Sequence, residues 1–266
     1  MILLPRAVRA EWIKLRSVRS TWWLSLAAFA GLVATSAAAL ATLSTTHCSP
    51  VPPGCDEDTV RLSLAGVYVG QIAVLVLAVL AVSTEYSTRT IRTTVVACPT
   101  RLPVLAAKIG VVLGVVLCAG ALGVLGSLVA GRVILPANGF VASAGYPPLS
   151  LADGPTLRAA ASTVLYLGLI ALLGLGAAAA LRDTALSLVT LLGLLFAFPT
   201  VAAFIADEVW RDRVLRFSPM AAGLAAQATK RLDALPIGPW PGLGVLAAYA
   251  GGATVLGAVL FRVRDA

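Results

Sequence analysis

Apolar stretches without a charge recur along the chain, each bounded by a short charged flank. Residues 62–84, 109–131, 159–181 and 184–206 each run for 23 positions without an Asp, Glu, Lys or Arg. A fifth stretch begins at Ser20, after Arg19, and a sixth follows Asp233 and lasts until Arg262. As a helix, 23 residues reach roughly 34 Å, enough to cross a hydrocarbon core about 30 Å thick with modest tilt. A soluble core helix of that length would turn one polar face to water. The pattern predicts an all-α integral membrane protein with six transmembrane helices. They fall at about 21–43, 62–83, 109–131, 159–181, 184–206 and 243–261.

Ahead of the first span, Leu4, Val8, Trp12, Leu15 and Val18 recur at helical spacing, with Arg6, Arg9, Glu11, Lys14, Arg16 and Arg19 between them. Residues 1–20 are therefore expected to form an amphipathic helix in the membrane interface, its basic face toward lipid head groups. Trp12 and the Trp22–Trp23 pair suit an interfacial belt. A secretory signal is the competing reading. The apolar stretch is longer than a signal's 7–15-residue core, so an uncleaved first span is expected. Residues 21–266 then form one six-span domain, with no soluble domain.

The connections differ in character. Residues 44–61 hold Pro50, Pro52, Pro53 and the acidic run Asp56, Glu57, Asp58. Residues 84–108 are polar, with Pro99 and Pro103, and residues 132–158 are proline-rich and expected to be irregular. Only Arg182 and Asp183 separate the fourth and fifth spans, which predicts a tight helical hairpin. Pro199 predicts a kink in the fifth. Residues 207–240 alternate in polarity and predict short interfacial or re-entrant helices. Gly110 and Gly114 form a GxxxG pair that permits close helix approach.

Counting Lys and Arg on alternate sides gives 12 on the side of the N-terminus and eight on the other. The first segment is strongly basic, so both termini are expected inside, N-in and C-in.

Composition supports the same class. The mean hydropathy is +0.94, 59% of residues are hydrophobic and 12% are charged, too few charges to cover a water-exposed surface. The net charge of +8 is scattered at span ends and forms no basic stripe with interleaved aromatics, so nucleic acid is not an expected partner. Membrane lipids are.

Little in the chain suggests chemistry. His47, the single histidine, stands in a polar loop beside Cys48 and reads as solvated; no metal site is expected. No HExxH, GxSxG or CxxC occurs. The three lysines follow Ile13, Ala107 and Thr229, so no Gly-Lys phosphate loop exists. No catalytic residue and no cofactor is expected in this chain. All twelve acids lie at span flanks or in loops, unlike the mid-membrane carboxylates of proton-coupled carriers; Asp207 and Glu208 read as a solvated helix end. Cys118 is expected to pack inside a span and Cys98 to stay reduced in an inner loop. Cys48 and Cys55 share the first outer loop and are candidates for a disulfide, although the intervening prolines could equally forbid it.

One segment carries a resemblance: Thr84-Glu85-Tyr86-Ser87-Thr88-Arg89-Thr90-Ile91-Arg92, then Pro99-Thr100-Arg101. It resembles the segment after the second span in permease subunits of bacterial ABC-2 type transporters. Those subunits carry Glu with Tyr or Phe, then Gly-Thr with Ile or Leu; Arg89 stands where the glycine usually is. Phe217-Ser218-Pro219 with Ala222-Gly223, and Ala10-Glu11-Trp12-x-Lys14-Leu15-Arg16-Ser17, are weaker likenesses of the same family.

The resemblance implies a multi-pass permease subunit of a bacterial plasma membrane that forms the translocation path. It would pair with a second permease subunit, in a homo- or heterodimer, and with ABC ATP-binding subunits that hold the ATP and Mg. The usual direction is export. ATPase coupling then falls to Glu85, Tyr86, Arg89, Thr90, Ile91 and Arg92. Glu85 and Arg89 are spaced to pair on one helix face, Tyr86 and Ile91 are candidate anchors, and Pro99 would end the helix. A solvated loop that only helps set topology is the plainer alternative for the same residues. A non-transporting regulatory or assembly subunit, or a membrane-embedded enzyme, are the other functional classes. The substrate does not follow from the residues.

Overall fold

The structure is a computed structural model, and it describes residues 3–43, 57–87, 101–144 and 146–263. The helices are α1 (Leu3–Ser17), α2 (Arg19–Ala41), α3 (Thr59–Ser63), α4 (Val67–Ser87), α5 (Arg101–Ala137), α6 (Gly154–Leu181), α7 (Thr184–Ala203), α8 (Glu208–Phe217), α9 (Pro219–Leu224) and α10 (Pro239–Val263). Three short 3-10 turns interrupt the connections, and no strand occurs among the described residues. Six of these helices (α2, α4, α5, α6, α7 and α10) are long and apolar enough to span a membrane.

The outer faces of these helices are apolar. Trp23 on α2, Val133 on α5, Val189 on α7 and Val255 on α10 all point out of the protein. Apolar exposure on this scale is unfavourable in water and natural in lipid, which makes the chain a multi-pass membrane protein.

α6 is the central helix. It packs against α10, α4 and α5, while α2 lies across α4 and α5. Tyr166, Leu167, Ile170 and Leu175 of α6 are fully enclosed. The spans alternate in direction, so α1, the end of α4, the start of α5, the α6–α7 turn and the end of α10 share one end of the bundle. Contacts among these segments fix that arrangement. Lys14 reaches Glu85, Lys108 reaches Glu11, and Arg182 donates to the Leu260 carbonyl at 3.4 Å.

Helix ends follow local chemistry. Asp153 and Asp183 cap α6 and α7 by accepting from Thr156 and Leu186 N–H. Arg182 turns the chain between them in the left-handed region at φ 58°, which makes the tight hairpin expected from sequence. α4 is preceded by a break at 64–66, where the second span was expected to run continuously. The reason is a close approach: a Cβ on Gly66 would stand 1.9 Å from the Leu32 carbonyl oxygen of α2. The Gly66 N–H donates to Ser36 Oγ at 2.9 Å.

α4 and α5 are longer than hydropathy alone indicates. α4 continues through Ser87 and α5 begins at Arg101, so residues 84–87 and 101–108 of the polar connection expected at 84–108 are helical. Pro103 is accommodated in the first turn of α5, where no N–H is needed. Cys118, expected to pack as a small apolar residue in mid-span, lies within α5 and faces outward from it.

Candidate functional site

Four charged side chains meet at the end of the bundle that holds α1. Glu11 and Lys14 are separated by three positions and so share one face of α1 with Leu15. Glu85 comes from the last turns of α4, and Lys108 from the first turns of α5, among the buried Val104, Leu105, Ala107 and Val111.

Lys108 Nζ donates to Glu11 Oε2 at 2.7 Å and to Glu85 Oε1 at 3.0 Å. Lys14 Nζ donates to Glu11 Oε1 at 2.9 Å and to Glu85 Oε1 at 3.2 Å. Each ammonium thus bridges both carboxylates, and the cluster is neutral as a whole. Side-chain exposure falls from 45% at Lys14 to 15% at Glu85, 6% at Lys108 and 3% at Glu11. A buried charge is tolerated only when paired and hydrogen-bonded, and the two innermost groups are paired with one another. Burial pushes the Glu11 carboxyl up, but Lys108 and Lys14 outweigh it and hold it below its ordinary 4.5. Burial pushes Lys14 down, and Glu11 and Glu85 outweigh that, holding it above 10.5.

The residue spacing along α1 predicts Glu11 on the face turned to head groups. It is instead buried against α5 beside Leu15, while Val8, Trp12 and Val18 face outward. Bringing Glu11 inward is favourable because Lys108 waits there.

Tyr86 follows Glu85 on α4 and is partly buried, with the Arg182 guanidinium carbon 5.2 Å from its ring centroid. One turn earlier, Ser83 Oγ accepts from Thr184 Oγ1 at 2.7 Å. The end of α4 is therefore held on one side by α1 and α5 and on the other by the α6–α7 turn. Glu85 and Tyr86 stand in the last turns of the spanning helix α4, where an inner-loop helix joined to the second span was expected. Arg89, Thr90, Ile91 and Arg92 lie outside the described residues, as do Pro99, His47, Cys98 and the Cys48 and Cys55 pair.

Sequence reasoning missed the Glu11–Lys108 pair. A signal was present for each: Glu11 is the sole acid before Asp56, and Lys108 sits where α5 is otherwise turning apolar.

The opposite end is tied by neutral and singly charged contacts. Asp58 caps α3 through Arg61 N–H and also accepts from Thr229 Oγ1 at 2.7 Å and Lys230 N–H at 3.1 Å. α9 and the 3-10 turn after it fold back into the bundle, with Met220, Leu224 and Gln227 buried. Tyr166 donates to Gln71 Oε1, and Gln71 Nε2 donates to Met220 Sδ at 3.2 Å. Gln227 Nε2 donates to Thr163 Oγ1 at 3.1 Å. A Cβ on Gly242 would stand 2.0 Å from the Ala222 carbonyl oxygen, so α10 approaches this segment at backbone distance. α8, by contrast, buries none of its residues, and Asp207 caps it.

Among the described residues no group of three or more His, Cys, Asp or Glu could hold a metal ion. No protein-family model matches the chain, and no curated protein does.

Proposed function

We propose that the chain is a permease subunit of an ABC-2 type transporter. It forms the translocation path together with a second permease subunit, and a separate ATP-binding subunit carrying ATP and Mg drives it, with export as the direction. Both termini face the inside of a bacterial plasma membrane in this reading, and α1 lies in the membrane interface.

The observation that supports this reading most is the position of Glu85. It belongs to the segment that resembles the family's, and it joins α4 to Lys14 of α1 and Lys108 of α5. Its neighbour Tyr86 meets Arg182 at the turn from α6 to α7, and Arg182 in turn reaches the end of α10. A permease without its own ATPase needs a stiff junction at which force from outside reaches several spans together. The end of α4 is such a junction in this reading, and Glu85 and Tyr86, with Arg89, Thr90, Ile91 and Arg92 after them, are the coupling residues. Buried, cross-bridged charges suit this role because they have few alternative arrangements.

Purification of the tagged chain from its host in mild detergent tests the proposal. An ATP-binding subunit with a phosphate-binding loop should accompany it in equal amount, and the reconstituted complex should hydrolyse ATP. A chain that purifies alone, or with a partner lacking ATPase activity, would favour the regulatory or assembly class instead.

A further inference from the structure

Beside the charge cluster lies a partly open cleft of about 490 Å³, within the range of ligand pockets. Its lining is ordered by helix position. Glu11, Lys14, Glu85 and Lys108 stand at one end, with Ser20 and Thr21 from the first turn of α2. Leu24 of α2 and Leu77, Leu80 and Ala81 of α4 line the rest. Along α4, Leu77 to Glu85 is eight positions, or about 12 Å of helix. The cleft thus passes from charged to apolar in the direction in which the spans enter the membrane.

We infer that this cleft holds one anionic phospholipid, with its phosphate at the Lys14 end and an acyl chain along Leu24, Leu77, Leu80 and Ala81. The level is right, because exposed Trp22 and Trp23 beside the polar end mark a membrane–water boundary. The sign of the head group follows from charge. The four clustered groups cancel, and the exposed Arg16 and Arg19, next in sequence to the lining residues Ser17, Val18 and Ser20, add positive charge beside the polar end. Val18 caps α2 without a side-chain hydrogen bond, so the first turn of α2 adds partial positive charge at the same end. A soluble anion would leave the apolar end empty, and a neutral lipid would leave that charge unmatched. This inference does not depend on the ATPase reading, and either can fail without the other.

Native mass spectrometry of the delipidated full-length protein tests it, with phosphatidylglycerol, phosphatidylcholine and soluble glycerol 3-phosphate as probes. One phosphatidylglycerol adduct should saturate at a concentration at least roughly fivefold below that for phosphatidylcholine, the factor expected for one basic residue near a lipid surface. Glycerol 3-phosphate should not displace it. Ala81→Trp, which fills the apolar end, should abolish the adduct, and Arg9→Gln should keep it. Phosphatidylglycerol with a photoactivatable acyl chain should cross-link to residues 77–81 of the unmodified protein, so the result does not hang on the folding of a variant. Equal binding of the two lipids, displacement by glycerol 3-phosphate, an adduct that survives in Ala81→Trp, or cross-links confined to other helices would each overturn it.

Discussion

Lys108 on α5 donates to the Glu11 carboxylate on α1 at 2.7 Å across 97 positions of sequence, with both side chains almost fully enclosed. Removing Lys108 leaves the buried Glu11 with only the half-exposed Lys14, and removing Glu11 leaves Lys108 with only Glu85, each in a poorly solvated site. Lys108→Met is therefore expected to cost about 3–5 kcal/mol. The double variant Glu11→Met, Lys108→Met should cost clearly less than the sum of its two singles, because neither charge is left behind. Thermal unfolding in detergent measures all four proteins, and simple additivity would show that the pair is not coupled.

Acid should weaken the same junction. Glu11 has a lower pKa folded than its ordinary 4.5, so its contribution is complete above that value and is lost as pH falls through the folded one. Lys14 works in the opposite sense: its pKa is raised, so its contribution holds below 10.5 and is lost as pH rises through the folded value. The Lys14 effect should be the smaller, since water screens this half-exposed group. Unfolding midpoints of the parent and of Glu11→Gln should converge as pH drops below 4.5; a constant difference would contradict the assignment.

The proposed coupling role can be separated from folding at Glu85 and Tyr86. Without Glu85, both lysines keep Glu11, so Glu85→Gln is expected to cost only about 1.5–3 kcal/mol. Tyr86→Ala loses the stacked Arg182, worth about 0.5–2 kcal/mol, along with some packing. Both should insert normally while binding the ATP-binding subunit more weakly or turning over more slowly. Parent-like coupling in both would remove these residues from the contact.

A backbone contact gives a prediction of another kind. The Cβ of Gly66→Ala would meet the Leu32 carbonyl, which cannot rotate away as a side chain would. Separation of α2 from α4 is expected to cost about 1–3 kcal/mol, as overpacking does. Gly110→Ala, where nothing stands within 4 Å, serves as the control and should leave the unfolding temperature unchanged or raised.

Orientation is open to direct labelling. Ser17→Cys, at the end of α1, and Ser143→Cys, beyond the far end of α5, are both exposed and replace one small side chain with another. In a background without native cysteines, a membrane-impermeant thiol reagent added outside should label position 143 and spare position 17. Labelling of both would sink the N-in topology.

The six spans and the Arg182–Asp183 hairpin were legible because both are local properties. Hydrophobic length along one helix decides whether it crosses, and two residues cannot bridge anything but adjacent antiparallel helices. The same local reading stopped α4 at the first polar residues and placed Glu85 and Tyr86 in a loop. It could not know that Lys14, Lys108 and Arg182 would be there to receive them. It also set Glu11 among the outward-facing charges, since spacing on α1 alone gives a carboxylate no reason to turn inward. Only packing supplied that reason, by bringing α5 against α1 and Lys108 within hydrogen-bonding distance. The burial of Met220 and Gln227 was likewise a tertiary decision, made by Gln71 and Thr163 from helices far away in sequence. Hydropathy determined how many helices enter the membrane, and long-range pairing of polar groups decided which of their ends are locked together.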